Sequence, residues 1–427
     1  MLSKKTTITL FLSIVTLVLI TSLGTAAAAS VLSDKEQLGK SIFSDPHLSV
    51  NGNQSCASCH GPEVGFTGPI QDFNAHGAVY EGSIPGRFGN RKPPSAAYAT
   101  QSPIRFQDKH GTWIGGNFWD GRATGEILGS PAADQAQMPF LNPVEQALRD
   151  SACVVYYACN PAVPAGYPVS LQAVEGVAAC AITWPADIEA LCATEGAAVP
   201  LSADDRATSD QTFDKIALAI AAYEASGEVN AFSSKFDLSL VKQLKLNDEE
   251  RRGYALFRGK GKCARCHTDK GDQPLFTDYT FDNLGVPKNP ENPFYAADPA
   301  FVDLGLGGNL MALGYGEDVY EPEMGKQKVP TLRNVDLRPS AGFVKAYTHN
   351  GYFKTLEGLV HFYNTRDVLP TCLGNYTEAE ALAANCWPPP EVAENVNTAE
   401  LGDLHLKPAD EAAIVAFLKT LSDGFEP

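Results

Sequence analysis

At 427 residues the chain is long enough for two or three domains, and 44% apolar residues suffice for a real core. Charged residues make up only 19%, which excludes a disordered acidic tail protein. A formal net charge of −17 argues against nucleic acid as a partner and suits either a basic protein partner or plain solubility.

Residues 1–29 have the three-part form of a secretory leader. Lys4 and Lys5 open it, Leu10 to Leu23 supplies the apolar run, and Ala26 to Ala29 supplies the cleavage site. The alternative, an uncleaved anchor, is opposed by the shortness of the apolar run. No later stretch is long and apolar enough to span a bilayer. The expected location is the periplasm, with attachment at the cell surface as the variant of that reading. Next, Ser33 and Glu36 form a capping-box start, continued by Leu38 and Ile42 on one apolar face. Residues 51–116 are rich in Gly, Pro and Asn and predict mostly loop. Residues 151–210 read as an irregular insertion. A helix then carries Phe213, Ile216, Ala217, Ile220 and Tyr223 on one face and ends at Gly227. Residues 228–246 link it to a second helix, capped by Asn247 with Glu250 and running to Phe257. Residues 271–345 return to Gly, Pro and Asp. The chain closes with a helix from Pro408. Strand signals are few. The expected fold is mainly α, with long loops, in two similar halves, 30–235 and 236–427, the second carrying its own insertion at 370–400.

Ten cysteines suit an oxidising compartment. Six of them, Cys153, Cys159, Cys180, Cys192, Cys372 and Cys386, lie in the two insertions. Their pairing is not readable from spacing, although Cys372 with Cys386 is the most local choice. The other four form Cys56-Ala57-Ser58-Cys59-His60 and Cys263-Ala264-Arg265-Cys266-His267. This spacing lets two thiols make thioether bonds to haem vinyl groups while the following imidazole reaches the iron. A zinc site would need two further ligands near each pair, and none repeats in both halves. The expectation is two covalently bound haem c groups on two cytochrome c-like domains. Six other histidines and Met138, Met311 and Met324 are the remaining sources of a sixth ligand.

With these motifs the chain resembles the bacterial di-haem cytochrome c peroxidase and MauG family. The resemblance runs through Leu38-Gly39-Lys40, Asp45-Pro46, the first haem motif, Phe118-Trp119-Asp120-Gly121-Arg122, Gln135, Pro139 and Asn142-Pro143-Val144-Glu145. It continues through the second haem motif, Phe276-Thr277-Asp278, Asn283-Leu284-Gly285-Val286, Val329-Pro330-Thr331-Leu332-Arg333-Asn334, His349-Asn350-Gly351 and Thr355-Leu356-Glu357. The resemblance implies that hydrogen peroxide reacts at the haem held by Cys56, Cys59 and His60, where Gln135 and Glu145 face the iron and the carboxyl moves a proton. It implies that Trp119 lies between the haems as an electron relay; ordinary core packing is the alternative. The haem held by Cys263, Cys266 and His267 would be closed by Tyr363, which stands where the peroxidase branch has methionine and MauG-type proteins have tyrosine. Leu356, Leu359, Val360 and Tyr363 share one helical face, which also suits a core tyrosine. His76 matches a histidine that caps the first haem in some members; an exposed histidine is the alternative. The family's calcium ion uses an asparagine side chain and two backbone carbonyls. The asparagine position falls on Lys92, which cannot ligate a hard cation. The carbonyls fall near Val344 and Ala346, and Asn90 would substitute only after a one-residue shift.

The reading is a periplasmic di-haem oxidoreductase that takes peroxide at the first haem. It would oxidise either a small redox protein, a cytochrome c or cupredoxin, or a protein substrate in the MauG manner. The alternative from another class is a non-catalytic two-haem electron carrier, which leaves Gln135 and Glu145 without work.

Overall fold

The computed structural model describes residues 31–160, 167–196 and 198–427; the expected leader lies outside them. Leu32–Pro427 form one unit with two large hydrophobic cores. The helices that frame these cores are α1 (Asp34–Phe43), α2 (Pro131–Leu141), α3 (Ala203–Ala225), α4 (Asp248–Arg258), α5 (Leu356–Thr365) and α6 (Pro408–Leu418). Among the described residues the strands are four pairs of residues in two small antiparallel ladders. β1 (Phe106–Gln107) pairs with β2 (Trp113–Ile114), and β3 (Phe281–Asp282) pairs with β4 (Gln327–Lys328). The architecture is therefore mainly α with few strands, as the sequence predicts. Among the described residues no helix is long and apolar enough to cross a membrane.

The two cores are built the same way. In the first, α1 crosses α3 with Gly39 against the backbone of Ala219, and the rings of Phe43, Phe66 and Tyr223 meet edge to face nearby. In the second, α4 crosses α6 with Gly253 against Ala413, and Phe257, Phe276 and Phe417 cluster beside it. Both expected capping boxes form. Ser33 N–H donates to Glu36 Oε2 at 2.6 Å, and Asn247 N–H to Glu250 Oε2 at 2.8 Å.

The insertion at 151–210 departs from its expected irregular form. It contains the short helices Ser151–Cys159, Leu171–Glu175 and Ile188–Cys192, and Cys153, Val154, Val155 and Ile188 belong to the first core. Disulfide Cys153–Cys192 ties the first of these helices to the third, Cys159–Cys180 ties the first to the turn Val177–Cys180, and Thr212 on α3 donates its hydroxyl to Ala179 O at 2.8 Å. α3 also begins earlier than its apolar pattern indicates. Its first turns are polar, so the start is set by Ser202, whose hydroxyl accepts Asp205 N–H at 3.1 Å, and by Asp204 and Asp205 near the helix N-terminus. The third disulfide, Cys372–Cys386, is the local pair expected.

Candidate active site

Each Cys-x-x-Cys-His segment forms a tight turn. His60 N–H donates to Cys56 O and His267 N–H to Cys263 O, both at 2.9 Å, so each thiol pair and its imidazole share one turn. The ring Nδ1 of His60 lies 3.0 Å from Phe66 O, and that of His267 lies 2.9 Å from Phe276 O. A carbonyl only accepts, so both Nδ1 atoms carry the proton and both Nε2 lone pairs are left for a metal. Phe66 and Phe276 adopt φ of 56° and 54°, a left-handed backbone that bulky residues rarely take. The same strained residue at the same place in both halves aims the carbonyl at the ring. Burial lowers both imidazole pKa values and keeps the rings neutral, as ligands must be.

Two cavities open on these turns. The first encloses about 1690 Å³ and is lined by Cys56, Cys59 and His60; the second encloses about 1460 Å³ and is lined by Cys263, Cys266 and His267, both figures counting space open to solvent. These four cysteines are free, whereas the other six are paired. Burial pushes the Cys56 and Cys263 thiols up to about 12. Among the described residues the one cluster of three metal-ligating side chains is Cys266, Asp282 and Glu400, and it leaves out both histidines and the other three thiols. The donor set fits haem c in both cavities. Cys56, Cys59 and His60 would hold one haem and Cys263, Cys266 and His267 the other.

The sequence-predicted residues divide between the cavities. Gln135, on α2, and Glu145 line the first one. Burial raises the Glu145 pKa, against the opposing pull of Arg122 and Asn142. Tyr363, on α5, lines the second with Cys263, Cys266 and His267; burial, then the two nearby thiols, push its phenol above the ordinary range. Trp119 is 8% exposed and lines both cavities, with its indole N–H donated to Lys92 O at 2.9 Å. His76 is not brought to the first cavity. Its side chain is exposed, with Nδ1 2.8 Å from Asp72 O.

The cavities also hold residues that pattern reading passes over. Glu224, on α3, lines the first with its carboxyl in no ion pair or hydrogen bond among the described residues. Lys328, on β4, lines both cavities, as Lys92 does. Its signal was available, since Lys328-Val329-Pro330 repeats Lys92-Pro93-Pro94. At the expected calcium position, Lys92 Nζ donates to Thr67 Oγ1 at 2.7 Å and Pro93 O at 3.0 Å. The carbonyl of Val344 accepts Asn74 Nδ2 at 3.2 Å. An ammonium at the ligand position does not fit a hard divalent cation.

The site is that of a c-type protein with two covalent haem positions, the first lined by Gln135 and Glu145. A match to the family described as di-haem cytochrome c peroxidase spans residues 33–245. The methylamine utilization protein MauG of Paracoccus denitrificans (strain Pd 1222) is 33% identical over 420 residues, covering 96% of this chain and 94% of that protein. Cytochrome c551 peroxidase of Nitrosomonas europaea is 27% identical over 328 residues, covering 77% of this chain and 72% of that protein. Among solved structures, the diheme peroxidase BthA from Burkholderia thailandensis E264 superposes with a TM-score of 0.68 at 28% identity, over 91% of this chain and 86% of that one. The chain belongs to the di-haem cytochrome c peroxidase family, which carries haem c and peroxidase-type oxidoreductase chemistry.

Proposed function

We propose that the protein takes hydrogen peroxide in the first cavity and uses it to oxidise a protein substrate in the MauG manner, through the second cavity. The single observation that carries this reading is Tyr363 in the wall of the second cavity, with Cys263, Cys266 and His267. When bound, the haems supply the redox chemistry. The chain supplies the rest. Glu145, whose protonated form burial favours, would hold and pass a proton beside hydrogen peroxide, and Gln135 offers an amide to orient it. Trp119, fixed at its N–H and walled by both cavities, shortens the path for an electron. Burial favours the phenol form of Tyr363, and a haem iron held by His267 would stabilise its phenolate instead. A phenolate there would favour oxidised iron, which suits storing oxidising equivalents. The three disulfides support export to an oxidising compartment, for which the periplasm is the proposed place.

A second reading is a peroxidase fed by a small cytochrome c or cupredoxin. The similarity to a cytochrome c551 peroxidase favours it. Spectra of the purified holoprotein, before and after peroxide, test both. Expected are a reaction with peroxide, a second-haem spectrum unlike His/Met ligation, and a changed second-haem spectrum in Tyr363→Phe. A His/Met spectrum, or an unchanged one in Tyr363→Phe, removes the tyrosine role and leaves the peroxidase reading. No reaction with peroxide, before or after one-electron reduction, returns the chain to a plain electron carrier.

A further inference from the structure

Lys92 and Lys328 occupy matching places in the two halves. Thr67 Oγ1 donates to Pro93 O at 2.6 Å, just after Lys92, and Thr277 Oγ1 donates to Val329 O at 2.7 Å, just after Lys328. Their main-chain N–H groups cross over: Lys92 N–H donates to His349 O and Lys328 N–H to Trp119 O, each at 2.7 Å. Both side chains line both cavities. Beside them Lys345, 4% exposed, donates to the carbonyls of Val64, Asn334 and Leu337, each at 2.9 Å.

These three ammonium groups have no carboxylate within ion-pair distance among the described residues, in a chain whose net charge is −17. Other buried cations do. Arg91 sits 2.6 Å from Asp120 and from Asp303, and Arg333 sits 2.6 Å from Asp237. A buried ammonium without an anion costs several kcal/mol, so an anion from outside the polypeptide is called for. Lysine has three N–H donors. Lys92 spends two on Thr67 and Pro93, and Lys328 spends one, on Ser102 Oγ at 2.9 Å. The rest are without an acceptor among the described residues, in the walls of two cavities that fit haem, a group carrying two carboxylate arms.

We propose that Lys92 and Lys328, backed by Lys345, form a fixed-cation partition between the two haems. Their ammonium groups pair with the haem carboxylates and supply the positive charge for which the family otherwise uses calcium, so this protein needs no divalent cation there. The proposal rests on the two-haem reading. Without an anion, burial lowers Lys92 and Lys328 to about 7; a carboxylate alongside holds them charged.

The test uses holoprotein purified in the presence of calcium. Haem per chain is measured by the pyridine haemochrome method and calcium by elemental analysis, with a redox titration of both haems before and after EGTA. Expected are two haems, sub-stoichiometric calcium, and a titration that EGTA leaves unchanged. Lys92→Met and Lys328→Met should each make the haems harder to reduce, lowering the reduced-to-oxidised ratio at a fixed potential by ~3-fold or more. Lys92→Arg, which keeps the charge, should stay near wild type. One calcium per chain whose removal alters the titration overturns the proposal. So do fully loaded Lys92→Met and Lys328→Met proteins that titrate like wild type. The calcium measurement on the wild type decides the matter even if the variants fail to load. Fewer than two haems in the wild type overturns the two-haem reading beneath it, and is told apart by the haem count.

Discussion

Glu224 is a carboxyl with no ion-pair partner among the described residues. It reaches the wall of the first cavity from α3, 4% exposed, and burial alone pushes it up to about 8. The folded chain therefore binds this proton more tightly than the unfolded chain does. Stability linked to it is full below the unfolded carboxylate range and is lost as pH rises toward about 8. Glu224→Gln should remove that loss. The stability difference between variant and wild type should grow in the variant's favour from about pH 5 to pH 8, by at most ~1.4 kcal/mol per unit. Denaturant midpoints of the holoprotein across this range check it, and a constant difference would mean that Glu224 stays ionised. At this scale the sequence was informative where chemistry demands a spacing. The two haem motifs, Gln135, Glu145, Trp119 and Tyr363 all line the cavities they were expected to share. Glu224 was hidden because a single acid on a helix reads as a solvated one until the helix is packed. Of the two readings open for His76, the structure shows the exposed one, with the ring outside the cavity.

Between elements, both halves depend on one close helix crossing. A Cβ added to Gly39 would lie 1.9 Å from Ala219 O, and one added to Gly253 would lie 1.8 Å from Ala413 O. Backbone cannot yield as a side-chain tip does, so α4 and α6 must move apart to admit any larger residue at 253. Gly253→Val should cost ~2–4 kcal/mol. It should disturb the spectrum of the second haem more than the first, because Phe257, Phe276 and Phe417 meet beside the crossing and Phe276 O holds His267. Chemical denaturation with the haem spectrum as probe measures both. A loss within ~0.5 kcal/mol would place the contact among tolerant surface sites. Helix ends with side-chain caps were legible, as Ser33 with Glu36 and Asn247 with Glu250 illustrate. The start of α3 was less so, because its early turns face outward and carry no apolar rhythm. The helical insertion at 151–210 was illegible for a related reason: its short helices are held by two disulfides, whose connectivity spacing does not encode.

Over the whole molecule, charge is sorted by depth. Lys92, Lys328 and Lys345 are each buried or wall a cavity, and buried acids outnumber buried bases among the described residues, yet most of the acids lie outside and the outer surface is acidic. This sorting was not legible in the chain. Composition gives the balance of charges, but the crossed bonds from Lys92 to His349 O and from Lys328 to Trp119 O exist only once the halves interlock. An acidic exterior should steer a cationic protein donor and leave a neutral small-molecule donor unaffected. The second-order rate with a basic cytochrome c is expected to fall several-fold between ~20 and ~200 mM salt, as the screening length contracts from beyond ~20 Å to under ~10 Å. The rate with a neutral donor should stay level over the same range, which separates surface steering from any effect of salt on the buried lysines. A level rate with the cationic donor would mean that the acid surface serves solubility alone.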